Sequence, residues 1–191
     1  MSLTRSQFEE ELEKLRNMLL EMGSEAEMAI ADSMEALSQR DASIAESVIR
    51  RDDVIDEMDL NIEAECMRLL ALQQPLARDL RLVGTALKIN TDLERIGDHA
   101  VDVAKVARKL AAMPLRDPVV DLPKMALAVR KMLKTALEAF VRHDLDLVDQ
   151  AVKADDEVDD LFHSIRIDLH KEMESNPAMI VEASYLLFVA H

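Results

Sequence analysis

Six carboxylates on two neighbouring predicted helices are the side chains in this sequence with the clearest capacity for chemistry. They form two lines that advance by three or four residues, as side chains on one face of a helix do. The members of the two lines are Asp52, Asp56, Asp59, Glu63, Glu94 and Asp98. Two acids at i and i+4 stand roughly 5–6 Å apart at Cβ and can bridge neighbouring metal ions. The spacing therefore indicates cation chemistry.

A shared metal site needs both helices, because a hard cation takes about six oxygen ligands and one pair of acids is too few. Asp102 extends the series of the third helix by four more residues. Oxygen ligands favour Mg, Ca, Mn or Fe over structural Zn, and the identity of the ion (Fe, Mn, Mg or Zn) stays open. His99 adjoins Asp98 and is either a surface histidine or an additional ligand.

The pattern of the third helix predicts where its acids point. Its first apolar line (Leu76, Leu80, Val83, Leu87) continues into Asn90, Glu94 and Asp98, and a second line stays apolar throughout. A helix with two apolar lines is largely surrounded by protein. We therefore expect Glu94 and Asp98 to point inward, where a carboxylate needs a cation, a metal or a hydrogen-bond donor. Gly97 lies between them, costs ~1 kcal/mol against Ala in a helix, and predicts a close helix–helix approach.

Two other interpretations of the acidic lines stay open, namely a metalloenzyme on a helical bundle and a structural helical protein with solvated acidic faces. The oxygen-handling di-iron enzymes use Glu-x-x-His on facing helices, and this sequence has none. It also lacks a Gly-rich phosphate loop and a G-x-S-x-G motif. We therefore predict no enzymatic activity. The net charge of −15 argues against nucleic acid as the main partner.

Composition predicts an all-α fold. The chain has 49% hydrophobic but only 3% aromatic residues, with 3 Gly and 5 Pro. Apolar periodicity predicts six helices, at about 4–39, 41–73, 75–112, 122–142, 144–175 and 177–191. We expect Asp41, Asp144 and Asn176 to be N-caps, and Pro75 and Pro177 to lie in first helical turns.

Location and redox state follow from two further features of the sequence. The N-terminus has no hydrophobic signal region, and no stretch approaches the ~20 apolar residues of a membrane span. The single cysteine, Cys66, lies in an apolar run and is expected to be a buried, inert thiol. These features predict a protein of the reducing cytoplasm.

An internal repeat predicts the domain organisation. Asp52 and Asp56 are echoed by Asp155 and Asp159, and Pro75 is echoed by Pro177. The repeat predicts a first three-helix unit at 1–112, a linker at 113–123 and a second three-helix unit at 124–191.

The second unit carries a weaker version of the acidic site. Asp155 and Asp159 are its expected ligands, but Phe162 and Arg166 stand where the first unit has Asp59 and Glu63. His191 falls near the position of Thr91, before any counterpart of Glu94 or Asp98, so we expect either that the last helix is truncated or that the second site is absent.

Four segments make the chain similar to the PhoU family over nearly its whole length. They are the Asp52-x-x-x-Asp56 motif, QQPLARDLRLV at 73–83, DLERIGD at 92–98 and SNPAMIVEASYLLFVAH at 175–191. The resemblance implies two tandem three-helix bundles related by pseudo-symmetry. It also implies that acidic E/D-x-x-x-D motifs hold clusters of iron or other divalent metals.

The same resemblance implies a function in phosphate homeostasis. Members of this family act as negative regulators that link a phosphate ABC transporter, here its ATPase subunit, to a membrane sensor histidine kinase. We also expect a homodimer, since a long flat bundle with many exposed Met and Leu residues would leave apolar surface to cover. The resemblance thus implies a cytoplasmic, non-enzymatic regulator.

Overall fold

All regular secondary structure in the described residues is helical. The computed structural model describes residues 5–73, 77–114 and 120–191 and contains no strand within them. Its helices are α1 (Arg5–Gln39), α2 (Ala42–Gln73), α3 (Ala77–Ala111), α4 (Leu122–Arg142), α5 (Leu145–Ser175) and α6 (Ile180–Ala190), with a 3₁₀ turn at Pro177–Met179 before α6. The all-α prediction is confirmed. The predicted helix start at Pro75 and positions 115–119 of the predicted linker lie outside the described residues.

Side-chain caps account for where two of the helices begin. Asp41 Oδ1 accepts hydrogen bonds from the backbone N–H groups of Ser43 at 2.7 Å and Ile44 at 3.2 Å, which satisfies donors that the first turn leaves unpaired. Asp144 Oδ1 caps α5 in the same way, accepting from the backbone N–H groups two and three residues further on at 2.9 and 3.3 Å. Both predicted caps are confirmed.

The start of α6 differs from the prediction. The side chain of Asn176 makes no capping hydrogen bond, and Pro177 opens a 3₁₀ turn rather than an α-helix. The α-helix itself begins at Ile180. Proline supplies the expected φ angle at this start but has no N–H, and the tighter turn takes up the first three residues.

The chain forms two compact units, each built from two separate segments. One comprises Met1–Ala26 and Arg51–Asp98, and the other comprises Glu27–Arg50 and His99–His191. The helices α1, α2 and α3 each contribute to both units. The division into 1–112, 113–123 and 124–191 stays a prediction.

The first unit buries the apolar stripes that periodicity predicts. The predicted α1 stripe is buried, as are the facing positions of α2 and α3: Phe8, Leu12, Leu15, Leu19, Met22, Ile55, Ile62, Cys66, Leu69, Val83, Ala86 and Leu93. Burial raises the pKa of the Cys66 thiol to about 11, because apolar surroundings disfavour the thiolate. The expected buried thiol is confirmed.

A charged network joins α1 and α2 at the edge of this core. The guanidinium of Arg68 donates to Glu65 at 2.7 Å and to Glu11 at 2.5 Å. The hydrogen bond from Arg68 lowers the pKa of the buried Glu65 carboxyl. This network fixes how α2 sits against α1 within the unit.

The second unit has its own core, and one arginine joins three of its segments. The core combines the C-terminal part of α1, the start of α2, the end of α3, and α4, α5 and α6. Arg40 follows the end of α1 with φ of 52°. Its guanidinium donates to the carbonyls of Leu110 at 3.1 Å and Pro114 at 3.3 Å and to the carboxylate of Glu182. Among the described helices, none has the length and apolar character needed to cross a membrane.

Candidate functional site: an acidic seam between two helices

Two contacts set how closely α2 and α3 approach in the first unit. A Cβ placed on Gly97 would lie 2.9 Å from Cδ1 and 3.2 Å from Cγ2 of Ile55, so any larger residue there would force the Ile55 side chain to shift. The second contact is polar: Asn90 Nδ2 donates to Oδ1 of Asp59 at 2.6 Å and to its carbonyl oxygen at 3.1 Å. The close approach predicted at Gly97 is confirmed.

The acids of the two helices meet along this seam at different depths. On α2, Asp52 and Asp59 are half-buried, whereas Asp56 and Glu63 are exposed. On α3, Glu94 is half-buried and lies within electrostatic reach of the α2 acids. We call these four α2 acids together with Glu94 and Asp98 the acidic seam.

The prediction that both α3 acids point inward is wrong for Asp98, which is exposed. A four-residue step advances a helix by slightly more than one turn. A line that starts at Asn90 therefore rotates away from the core by Asp98. The apolar line is corrected too, since Leu80 is 49% exposed.

The charges of the acidic seam act on one another across the two helices. The pKa of Glu94 is raised by partial burial first and then by the negative charges of four seam acids, Asp98, Asp59, Asp56 and Asp52. The pKa of Asp59 is raised by partial burial and by the charges of Glu63 and Asp56. Like charges disfavour further ionisation. Repulsion among the ionised carboxylates of the seam therefore lowers the free energy of unfolding.

This cost predicts the effect of neutralising one seam acid. A carboxyl whose folded pKa is raised penalises the folded state above its unfolded pKa, and the penalty disappears once both states are protonated at low pH. We expect Glu94→Gln to raise the free energy of unfolding of metal-free protein at pH 7 by about 0.5 kcal/mol. The gain should vanish near the unfolded carboxyl pKa of about 4.3.

Urea unfolding of chelator-treated protein across this pH range measures the gain. Asp92→Asn is the matched control, because Asp92 is exposed on α3 and stands 3.9 Å from Arg95. A Glu94→Gln protein that is less stable than wild type at pH 7 would show that Glu94 makes a favourable contact instead.

The donor chemistry of the acidic seam fits a hard cation. Asn90 is only 2% exposed, and among the described residues its Oδ1 has no hydrogen-bond partner. An amide oxygen is a ligand that hard cations accept beside carboxylates. Asn90 was not among the predicted ligands, although its position on the line through Leu87 and Glu94 signalled it.

In their present rotamers, the seam side chains do not form a complete set of metal ligands. Among the residues that the structure describes, no three Asp, Glu, His or Cys side chains are arranged to hold one metal ion. Exposed carboxylates on a helix have rotamer freedom, so Asp56, Glu63 and Asp98 can turn toward the seam without backbone movement.

The remaining predicted ligands lie in the second compact unit. Asp102 is half-buried and forms an ion pair with Lys105 at 2.8 Å. Asp155 and Asp159 are exposed on α5. Beyond them, the Arg166 guanidinium stands 5.7 Å from the ring centroid of Phe162, at the positions that match Glu63 and Asp59. Where the first unit places two acids, the second places a cation and an aromatic ring.

Comparisons of the chain with family models and with known proteins identify the same family. The family model described as "PhoU domain" matches residues 19–107 and 122–191. The "Phosphate-specific transport system accessory protein PhoU homolog" of Clostridium acetobutylicum is 43% identical over 188 residues, which cover 98% of this chain and 86% of that protein. The protein of the same description from Aquifex aeolicus is 36% identical over 180 residues, covering 94% of this chain and 81% of the relative.

Solved structures agree with the sequence comparisons. The crystal structure of PhoU from Pseudomonas aeruginosa superposes with a TM-score of 0.90 at 36% identity, covering 96% of this chain and 88% of that one. The phosphate transport system regulatory protein PhoU from Streptococcus pneumoniae gives a TM-score of 0.87 at 28% identity, covering 96% and 86% of the two chains. The fold, the matched segments and the relatives agree, and the chain belongs to the PhoU family.

Proposed function

We propose that this protein is a non-enzymatic regulator of phosphate uptake and signalling that binds metal at the acidic seam. Family membership supports the phosphate-transport part, since relatives that match 98% and 94% of this chain are described as phosphate-specific transport system accessory proteins. The observation that supports the metal part is geometric: the Ile55–Gly97 and Asp59–Asn90 contacts bring the acids of α2 and α3 together beside the buried Asn90 Oδ1, which has no hydrogen-bond partner among the described residues.

The half-buried acids would form the fixed part of the metal site. Asp52, Asp59 and Glu94 are held by their helices at the seam, and the buried Asn90 positions Asp59. The exposed acids Asp56, Glu63 and Asp98 would complete the oxygen ligands. A bound cation supplies positive charge, which would offset the repulsion that raises the pKa values of Glu94 and Asp59. Iron, manganese or magnesium fits such oxygen donors better than structural zinc.

The proposed partners are those that the family resemblance implies. They are the ATPase subunit of a phosphate ABC transporter and a membrane sensor histidine kinase, whose phosphate response the protein would repress. A homodimer is also proposed. In a host that lacks its own copy, a phosphate-regulon reporter is expected to stay active at high phosphate and to be repressed when this protein is supplied. Continued reporter activity would contradict the regulatory role.

Metal content tests the site directly. Protein purified without a metal-affinity tag is expected to carry a stoichiometric divalent or iron-type ion by mass spectrometry, and Glu94→Ala/Asp98→Ala protein is expected to lose it. Because metal that binds only the folded state stabilises it, the ion should also raise the melting temperature of wild type, by an amount that depends on its concentration.

The second unit provides the control for this experiment. Asp155→Ala/Asp159→Ala removes the same number of acids from α5, where Phe162 and Arg166 replace the remaining ligands. We expect this variant to keep the metal bound at the seam. If neither wild type nor the variants bind metal, and added ions leave all melting temperatures equal, the acids are a solvated face and the metal site is refuted.

A further inference from the structure

Gly84 is an exposed glycine inside α3, and no described residue of its unit packs against it. A Cβ added there would meet no described atom within 4 Å, in contrast to Gly97, where Ile55 fills the space. Glycine in a helix interior is destabilising relative to alanine. Glycine also marks places where another backbone approaches closely. No described residue of the unit makes such an approach at Gly84.

Apolar side chains flank Gly84 on the same face of α3. Leu80 lies one turn before it and is exposed. Leu87 lies nearly one turn after it and is half-buried. A glycine between two leucines forms a shallow notch on the helix surface, of the kind that lets a second helix cross at short distance.

The neighbouring helix extends this apolar surface. Leu60 and Met67 of α2 are 64% and 56% exposed and stand seven residues apart, on one helical face. At 100° of rotation per residue, Leu60 and Met67 lie about 100° and about 80° around the axis of α2 from Asp59, the residue that contacts α3. The buried Ile62 lies about 60° from Asp59 in the opposite direction. They therefore lie on the solvent side of the seam.

The same rotation places the α3 leucines on that solvent side. Around the axis of α3, Leu80 and Leu87 lie about 80° and about 60° from Asn90, the residue that contacts α2. The buried Leu93 lies on the other side of Asn90. The Ile55–Gly97 and Asp59–Asn90 contacts show that α2 and α3 run antiparallel. We define the Gly84 face as Leu60, Met67, Leu80, Gly84 and Leu87.

The α3 edge of the Gly84 face is cationic in a strongly acidic protein. Arg81 and Lys88 are exposed beside Gly84, and no ion pair joins either of them to another residue in the described ranges. On α2, the exposed Glu57 lies at the opposite edge, whereas the exposed seam acid Glu63 lies between α3 and the side chains of Leu60 and Met67. In a chain of net charge −15, this local excess of positive charge would attract an acidic group to one edge only.

We propose that the Gly84 face docks a helix of another protein that presents small and apolar residues at the crossing and acidic residues along the edge over Arg81 and Lys88. A small residue on that helix would let its backbone approach Gly84 closely. Its acids would pair with the two cations, which have no ion-pair partner among the described residues. The inference uses the apolar side chains, the glycine and the two cations, and it does not require a metal ion at the adjoining acidic seam.

Two other occupants fit the observations less well. An anionic membrane would be attracted by Arg81 and Lys88, but a lipid surface does not need the close backbone approach that Gly84 allows. A second copy of this chain would bring two acidic seams together, since each seam adjoins its own Gly84 face.

The internal repeat offers a comparison within the same chain. Ser184 stands 100 residues after Gly84, the separation that also relates His191 to Thr91, and it is exposed like Gly84. On α5, His163 and His170 occupy the positions 103 residues after Leu60 and Met67. The second unit therefore lacks both the glycine and the α2 part of the apolar surface, and neither feature is needed to build such a unit.

The test uses the full chain and a defined probe. The probe is a fluorescein-labelled, stapled helical peptide with an Ala/Leu stripe, a Gly at its centre and Glu along one edge, and binding is followed by fluorescence anisotropy. Net charge repels an acidic peptide from this protein, so saturable binding reports a specific surface. We expect saturable binding to wild type that weakens as salt rises.

Two variants disrupt the Gly84 face and are expected to leave the fold intact. Gly84→Leu fills the notch where open space accepts a side chain, and Arg81→Glu/Lys88→Glu reverses the cationic edge. Each is expected to weaken binding at least about tenfold. Gly84→Leu should melt no lower than wild type, because leucine is a better helix former than glycine. Ser184→Leu, the matched control in the second unit, should bind as wild type does.

Three results would overturn the proposal. The first is no saturable binding to wild type, or equal binding to Gly84→Leu. The second is a wild-type dimer that becomes monomeric in Gly84→Leu by light scattering, which would assign the face to a second copy. The third is wild-type binding to phosphatidylglycerol vesicles that Gly84→Leu abolishes, which would assign it to a lipid surface.

Discussion

Glu182→Ala is expected to lower the free energy of unfolding by about 3–5 kcal/mol, because it breaks a buried ion pair with the guanidinium of Arg40. Glu182 is 2% exposed in the second unit, and the Arg40 side chain is 14% exposed. Arg40 also donates to the carbonyls of Leu110 and Pro114, so it cannot turn outward without breaking those bonds. Urea unfolding followed by circular dichroism measures the loss.

The control for this prediction is an ion pair of the same type at the surface. Glu46→Ala removes the partner of Arg108, whose 2.8 Å contact is exposed on both sides, and should cost at most about 1 kcal/mol. A Glu182→Ala protein that is as stable as Glu46→Ala would show that the pair is not buried in solution.

Gly97→Leu is expected to lower the free energy of unfolding by about 1–3 kcal/mol, through overpacking at the seam. The new side chain would collide with Ile55, which is itself buried and, being β-branched, stiff at χ1. The helices α2 and α3 must separate to admit it. That separation also moves Glu94 away from the α2 acids, so metal binding at the seam should fall with stability.

Gly84→Leu, at the other glycine of α3, is the control for Gly97→Leu. Gly84→Leu places the same side chain thirteen residues earlier on the same helix, where no atom of the described residues lies within 4 Å of the added Cβ. It should leave stability unchanged or raise it by up to about 1 kcal/mol. The two variants share their gain in helix propensity, so the difference between their unfolding free energies isolates the packing term. Equal stabilities would show that α2 and α3 do not approach closely at Gly97.

The sequence by itself determined the helices and much of their packing. Apolar periodicity placed five of the six helices within two residues of their observed ends, because an amphipathic stripe and its caps are local features. The Asp41 and Asp144 caps follow from the same logic. The DLERIGD segment and the repeat were enough to indicate the PhoU family, to which the matched domain and the relatives assign the chain.

Tertiary structure decided how deeply each functional side chain lies. Three or four residues per turn is only an approximate rule, and the error accumulates along a long helix until Asp98 faces solvent while Glu94 does not. Sequence spacing predicted a close approach at Gly97 only, and the structure shows that Ile55 fills the space there, whereas no described atom lies within 4 Å of a Cβ at Gly84. The burial of Glu182 and its pairing with Arg40, 142 residues away in the chain, depends on contacts between distant segments that no local pattern contains.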